Sequence, residues 1–185
     1  ALQILNKNGY KELYLLSEKV NRGDINNIEA TAANKYFQYL YPGLNRRCED
    51  PINSCLNYGY SILRSAIARS AAAHGFLLSY GINHHNTYNA FNLVDDLIEP
   101  FRPMVDVVAI DIVSSNVFLS TEQRRKLISI LYNECLIDGN NTTIINAIDI
   151  MISSIKDYII YDESIKLPQI VPVKYLGGII EWESL

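Results

Sequence analysis

The chain has 185 residues, of which 49% are hydrophobic and 19% charged, and its formal net charge is −4. This composition is typical of a globular protein with one sizeable core, and it argues against a low-complexity chain or an evenly basic nucleic-acid-binding protein. Apolar runs stay well short of the roughly 20 residues that span a bilayer, and the N-terminus has no signal-peptide pattern, so we expect a cytoplasmic protein.

Apolar residues at helical spacing account for the first half of the chain. They predict a helix from Tyr10 to Asn21, a second helix capped by Asp24 or Asn26 that ends near Tyr41, and a third from Ile52 to His74. Gly75 suits the C-terminal end of the third helix.

The second half begins with an irregular polar segment, Ser79 to Asn89, and continues as helices. The predicted helices run from Phe91 to Glu99, from just after Pro103 toward Val113, from Ser120 or Thr121 to Tyr132, and from Thr142 to Tyr158. Glu122 supports the start of the third of these helices as part of a capping box. Strand-like alternation is almost absent, so the expected fold class is all-α.

Glu29 is the first residue that could carry chemistry. It shares a face of the second predicted helix with Ala33, Tyr36 and Leu40. A carboxylate buried on such a face needs a cation or another partner. An exposed Glu in the first turn, favoured by the helix dipole, accounts for the same pattern, and this helix alone favours the exposed carboxylate.

The segment GINHHN and the short helix after it form the second candidate. The helix carries a polar stripe of four residues, Asn92, Asp95, Asp96 and Glu99. Two carboxylates one turn apart can converge on a cation, and His84 or His85 can add a nitrogen ligand. Because surface acids are common at this density, the stripe alone does not separate a metal site from a solvated face.

Three further features have structural and functional interpretations. Asn57, Tyr58 and Gly59 interrupt the third helix with poor helix formers, which indicates close packing or a site. Three clusters of basic residues fit either a solvated surface or a set of phosphate contacts. They are Arg46 and Arg47, Arg64 and Arg69, and Arg124 to Lys126. The three cysteines of the chain lack the spacing of a metal site, and we expect them to be reduced thiols. They are Cys48, Cys55 and Cys135.

Two segments together, LNYGYSILRSAIAR and HHNTYNAFNLVDDLIEPFRPMVD, closely resemble the CRISPR adaptation integrases of the Cas1 family. NAFNL followed by DLIEPFRP is most similar to members from type II systems. The strong part of the resemblance extends from Asp24 to Asp106, and a looser part extends to Leu167. His84 follows Glu29 by 55 residues and precedes Glu99 by 15, as expected for the type II branch.

The resemblance implies one divalent metal ion held by a Glu, a His and a second acid. Glu29 in IEATAANKYF corresponds to the first ligand, although Ala30 stands where the family usually has Gly. His84, or the adjacent His85, corresponds to the second ligand and Glu99 to the third. These three would be the catalytic residues, with Asp96, Asn57 and Tyr58 around them.

The resemblance also implies a division of the chain. Residues 1–23 are expected to be a linker helix, 24–167 the helical catalytic domain and 168–185 a loose tail. In the family, an N-terminal β-domain builds the homodimer that holds the partner protein Cas2. We expect the 185 residues to represent only the helical part of such a protein, a part that folds alone but fails at integration.

The implied reaction is transesterification, in which the 3′-hydroxyl of a captured double-stranded DNA fragment attacks the CRISPR repeat with Mg²⁺ or Mn²⁺ as cofactor. One alternative is a nuclease that only degrades DNA. Another is a non-catalytic DNA-binding or scaffold module that uses Arg46, Arg47, Arg64 and Arg102 on phosphates. We expect the main role of Arg102 to be structural, through a pair with a carboxylate or a helix end, and not DNA binding.

Overall fold

The computed structural model describes residues 1–21 and 23–170, and over these ranges it confirms the all-α class. Its helices are α1 Tyr10–Ser17, α2 Ile28–Leu40, α3 Pro51–Ala73, α4 Asn92–Leu97, α5 Arg102–Ile112, α6 Thr121–Ser129 and α7 Ile144–Tyr161. Short 3₁₀ turns cover Glu99–Phe101 and Ile130–Tyr132, and a hairpin pairs β1 Glu134–Ile137 with β2 Asn140–Thr143. Within the described ranges, no helix is both long and apolar enough to cross a membrane.

The chain divides into two compact units, residues 1–48 and the residues from Glu49 onward. In the first unit, Glu12 of α1 joins α2 through two contacts. It accepts a hydrogen bond from Tyr39 Oη at 2.6 Å and pairs with Lys35 Nζ at 2.7 Å. The predicted boundaries after residues 23 and 167 remain predictions, and residues 171–185 of the predicted tail lie outside the described residues.

Of the two predicted caps of α2, Asp24 and Asn26, it is Asp24 that contacts the helix start, although the N-cap residue itself is Asn27. The Asp24 carboxylate accepts hydrogen bonds from the backbone N–H groups of Ile28 and Glu29, both at 2.8 Å. These are two of the N–H groups that a helix start leaves without an intrahelical partner.

The second unit is built around α3, which packs against α4, α5, α6 and α7. Leu56, Leu63 and Ile67 of α3 are completely buried. A Cβ at Gly59 would lie 2.4 Å from Val105 Cγ1 and 3.3 Å from Leu127 Cδ2. Gly59 therefore allows α5 and α6 to approach α3 closely, which supports close packing as the reason for this glycine.

Helix ends follow local signals with small differences from the predictions. Gly75, with φ +86°, and Phe76 donate hydrogen bonds to the carbonyls of Ala72 and Ala71, which is the Schellman arrangement. At the start of α6, Ser120 forms a reciprocal capping box with Gln123. Gln123 therefore occupies the capping-box position that the sequence analysis expected Glu122 to fill.

The hairpin is absent from the predictions. Its two strands have only 4 residues each, so alternation is hard to recognise. Asp138 and Gly139 between them have φ of +52° and +75°, as a two-residue hairpin turn requires. Gln169, in the predicted tail, pairs with Leu136 of β1 through reciprocal backbone hydrogen bonds of 2.7 and 3.0 Å.

Candidate functional site

The loop formed by residues 79–91, called here the histidine loop, is attached to α4 by a buried amide. Asn92 is 4% exposed. Its Nδ2 donates to the carbonyls of Ser79 at 3.0 Å and Asn86 at 2.8 Å, and its Oδ1 accepts from Asn89 Nδ2 at 3.1 Å. One side chain therefore fixes both halves of the loop on the first turn of α4.

Asp96, one turn further along α4, holds the segment that contains His84. Its carboxylate accepts hydrogen bonds from the backbone N–H groups of Ile82, Asn83 and His84. His84 Nδ1 lies 2.6 Å from Asp96 Oδ1. A Cβ at Gly81 would lie 2.2 Å from the His84 carbonyl oxygen and 2.9 Å from Asp96 Oδ2, so this close arrangement requires glycine.

The electrostatics of this pair favour one tautomer of His84. Burial raises the pKa of the Asp96 carboxyl, but hydrogen bonds from the His84 ring and the loop backbone outweigh it and lower the pKa overall. An ionised Asp96 accepts a hydrogen bond from the Nδ1–H group, and in a neutral imidazole this arrangement leaves the lone pair on Nε2. The His84 side chain is 46% exposed, and its Nε2 makes no hydrogen bond or ion pair within the described residues.

Asp95 points to α3 instead. Arg64 donates from Nε to Asp95 Oδ1 at 2.6 Å and from its NH2 nitrogen to Oδ2 at 3.1 Å, and its guanidinium lies 4.6 Å from the Phe91 ring centroid. The bond from Arg64 lowers the pKa of Asp95, burial opposes it, and a bond from Asn89 assists. Arg64 thus has a structural partner, and a phosphate contact of this residue remains a prediction.

Glu99 begins the 3₁₀ turn before α5 and pairs with Arg102, whose Nε lies 2.8 Å from Glu99 Oε1. The Arg102 guanidinium also lies 4.8 Å from the Tyr60 ring centroid. Tyr60 in turn donates its hydroxyl to the buried Asp106. Arg102 therefore pairs with a carboxylate, as expected, while Asp96 and Glu99 contact different partners.

Glu29 lies in the first unit, exposed in the first turn of α2. This is the position that favours an acidic side chain through the helix dipole. Within either unit, the described residues contain no group of three His, Cys, Asp or Glu side chains placed to hold a metal ion. The convergence of Glu29, His84 and Glu99 involves both units and remains a prediction.

The other predicted site residues occupy separate surfaces. Tyr58 lines an open cleft together with Arg69 and Ile128, and no residue of the histidine loop lines it. Asn57 and His85 are exposed. In the first unit, the Arg46 guanidinium lies 5.8 Å from the Phe37 ring centroid, and Arg47 is exposed.

Comparison with known proteins identifies the family. Residues 7–134 match the family model described as CRISPR associated protein Cas1. The chain belongs to the Cas1 family. The CRISPR-associated endonuclease Cas1 of Neisseria meningitidis serogroup C is 35% identical over 170 residues, which cover 89% of this chain and 56% of that protein. A Cas1 endonuclease of Pyrobaculum aerophilum is 39% identical over 87 residues, 44% of this chain and 29% of that protein.

A solved structure supports the same fold. This Cas1-family chain resembles a structure titled "Casposase bound to integration product" with a TM-score of 0.63 and 24% identity, over 77% of this chain and 52% of the other. This chain spans about half the length of the first relative and of this structure.

The contacts that hold the histidine loop and α4 in place were only partly predictable from the sequence. Asp96 was expected around the metal site, and the structure shows it in contact with His84; its place near a metal ion remains a prediction. The buried role of Asn92 and the bidentate Arg64–Asp95 pair were not predicted. Asn92 lies four residues before Asp96, on the same face of α4, and that spacing was the available signal for a second point of attachment.

Proposed function

We propose that this Cas1-family chain carries the catalytic site of a metal-dependent DNA integrase and endonuclease that acts in CRISPR spacer acquisition. The observation that carries the proposal is the half-exposed His84, whose Nδ1 faces Asp96 while its Nε2 makes no hydrogen bond or ion pair within the described residues. Metal-binding histidines commonly have this arrangement, with a carboxylate on the ring nitrogen that does not bind the ion. The names of the relatives support the reaction class.

The available donors fit a divalent ion. His84 offers an oriented imidazole nitrogen, and the exposed carboxylates of Glu29 and Glu99 offer oxygen ligands. Oxygen donors suit Mg²⁺, and the imidazole extends the preference to Mn²⁺. Such an ion would polarise the scissile phosphate and stabilise negative charge on the attacking and leaving oxygens.

The chain's own residues position these donors. Asp96 orients the His84 ring and fixes its tautomer, and Asn92 holds the loop on α4. Arg102 neutralises Glu99 and keeps its side chain close to the start of α5. Because these contacts join a short helix to a loop, the site is organised by hydrogen bonds between polar groups more than by apolar packing.

The proposed reaction is a phosphodiester exchange. The 3′-hydroxyl of a DNA fragment attacks a phosphodiester of the CRISPR repeat, a new phosphodiester forms, and the broken strand leaves with its own 3′-hydroxyl. With water as the attacking group, the same site hydrolyses DNA. The partners of the whole protein would be prespacer and repeat DNA, Cas2 and a second copy in a homodimer.

A strand-transfer assay tests the proposal. The protein that contains this chain is mixed with Cas2, a labelled DNA fragment and a repeat-containing plasmid, and joined products are counted. We expect joining that Glu29→Gln, His84→Gln or Glu99→Gln abolishes and that His85→Gln retains. Degraded DNA without joined products would favour a nuclease, and activity that tolerates the glutamate substitutions would favour a scaffold.

A further inference from the structure

Glu99 differs from the two carboxylates before it in how its oxygens are used. Both oxygens of Asp95 and both oxygens of Asp96 accept hydrogen bonds from other residues. Glu99 Oε1 lies 2.8 Å from Arg102 Nε, while Glu99 Oε2 makes no hydrogen bond or ion pair within the described residues. Of these three acids, only Glu99 therefore keeps an oxygen for a ligand, and its side chain is 45% exposed.

Arg102 leaves this oxygen unoccupied. A guanidinium and a carboxylate frequently pair through two parallel hydrogen bonds, and Arg64 engages both oxygens of Asp95 in this way. Among the described residues, Arg102 donates only from Nε to Glu99 Oε1. The orientation of the Arg102 guanidinium therefore decides whether Glu99 has one oxygen available or none.

The ring of Tyr60, on α3, restricts this orientation. The guanidinium carbon of Arg102 lies 4.8 Å from the ring centroid, within the range of a cation–π contact. Tyr60 is only 8% exposed, and such contacts are stronger where water is excluded. The Arg102 side chain is 32% exposed, and a long side chain of this kind has many rotamers unless a neighbour restricts it. The Tyr60 ring supplies that restriction.

A buried carboxylate holds the ring in turn. Tyr60 donates its hydroxyl to Oδ1 of Asp106, which is completely buried on α5. Because a buried carboxylate is costly without hydrogen bonds, a movement of the ring away from Asp106 is unfavourable. Arg102 and Asp106 are four residues apart and share one face of α5. Tyr60 thus contacts two successive turns of this helix, with its hydroxyl at Asp106 and its ring at Arg102.

We propose that Tyr60 is a positioning residue, which holds the Arg102 guanidinium so that Glu99 keeps Oε2 available to a divalent cation. His84 has the same organisation, because Asp96 holds its Nδ1 while its Nε2 makes no hydrogen bond within the described residues. This inference rests on the proposed function and specifies which oxygen of Glu99 serves as a ligand.

Removal of the ring in Tyr60→Leu tests the positioning by two measurements. The first is ¹⁵N relaxation of the Arg102 Nε–H group without metal, with the signal assigned by its loss in Arg102→Lys. Tyr60→Leu should lower the order parameter of this group from a rigid value to below about 0.6. The second is Mn²⁺ affinity, measured by electron paramagnetic resonance, which should fall by about tenfold or more, as for the loss of a supporting contact.

Tyr60→Phe is the matched variant, because it keeps the ring and loses only the hydroxyl. It should lower stability, since Asp106 loses a hydrogen bond. The order parameter should stay in the rigid range and the Mn²⁺ affinity within about threefold, because a phenyl ring also supports a cation–π contact. Ile148→Ala removes buried apolar volume on α7. It controls for general destabilisation and should change neither measurement.

Equal order parameters and equal Mn²⁺ affinities for Tyr60→Leu and the unmodified protein would overturn the positioning role. Mn²⁺ binding that still depends on His84 would then leave the proposed function intact. Conversely, an order parameter that falls in Tyr60→Leu, in a protein that binds no Mn²⁺, would support the hold of Tyr60 on Arg102 and contradict the proposed metal site.

Arg102→Lys provides the test if Tyr60→Leu does not fold. The lysine keeps the positive charge but lacks the planar group that stacks on the ring. We expect Mn²⁺ affinity to fall by about tenfold, and an unchanged affinity would overturn the proposal.

Discussion

Nδ1 of His84 lies 2.6 Å from Oδ1 of Asp96, and the same carboxylate accepts three backbone hydrogen bonds from residues 82–84. Asp96 thus acts on both the backbone and the ring of the histidine loop. A single carboxylate on α4 thereby fixes the direction in which the candidate ligand nitrogen points.

Replacement of Asp96 should impair metal binding without removing any proposed ligand. In Asp96→Asn, the amide cannot accept from the loop backbone and from His84 with both of its terminal atoms, because one of them is now a donor. We expect Mn²⁺ affinity to fall by about 10- to 100-fold, measured by electron paramagnetic resonance titration of free Mn²⁺. Asp111→Asn, an exposed carboxylate on α5, is the control, and equal affinities for the two variants would exclude the positioning role.

The Arg64–Asp95 pair should make stability depend on pH. The hydrogen bond from Arg64 lowers the pKa of folded Asp95 below its usual value of 3.8. The stabilisation is therefore complete above that usual value and disappears as the pH falls through the lowered pKa of the folded state. Because the Arg64 side chain is 38% exposed, solvent screening limits the effect to about 1 kcal/mol at pH 7.

Urea unfolding of the protein and of Asp95→Asn across this pH range measures that contribution. The difference between their free energies of unfolding should shrink as the pH falls below 3.8. A difference that stays constant from pH 7 to the acid limit would show that the charge of Asp95 is not the cause.

Gly81→Ala should displace the His84 segment. The new Cβ would lie 2.2 Å from the backbone carbonyl of His84, a contact that no side-chain rotation relieves. We expect Mn²⁺ affinity to fall by at least about tenfold, as for the loss of a supporting contact, with a near-native circular dichroism spectrum. Ala90→Gly, at an exposed position of the same loop, controls for general loosening, and unchanged affinity in Gly81→Ala would contradict the described loop geometry.

Arg102 should act through Glu99 and not through DNA. Arg102→Ala removes the pair with Glu99 and the contact with the Tyr60 ring, and we expect a loss of about 1 kcal/mol in stability. DNA affinity, measured by fluorescence anisotropy at one salt concentration, should stay within about twofold, since no phosphate contact is lost. A large fall in DNA affinity with unchanged stability would assign Arg102 to the DNA surface.

The sequence predicted the helices better than their junctions. Periodic apolar residues placed α3 within one residue at each end, because that helix is long and buried along one face. The hairpin was missed because each strand is short, although the Asp138-Gly139 pair is a turn signal. α5 begins at Arg102 and includes Pro103 in its first turn, where a missing N–H costs nothing.

The site was predictable in its residues and not in their contacts. The polar stripe of α4 was recognised, but its members point in different directions: Asn92 and Asp96 toward the loop, Asp95 toward Arg64. Periodicity gives the face of a helix and not the partner of each side chain. Glu29 shows the same limit, because its spacing fits both an exposed helix start and a metal ligand.

The most direct test of the account is a Mn²⁺ titration of the protein beside the paired variants His84→Gln and His85→Gln. The two histidines are neighbours in one loop and both are exposed, but only His84 is oriented by Asp96. The account predicts a loss of at least tenfold in affinity for His84→Gln and an unchanged affinity for His85→Gln. Equal affinity of His84→Gln and the unmodified protein would contradict the metal site proposed at His84.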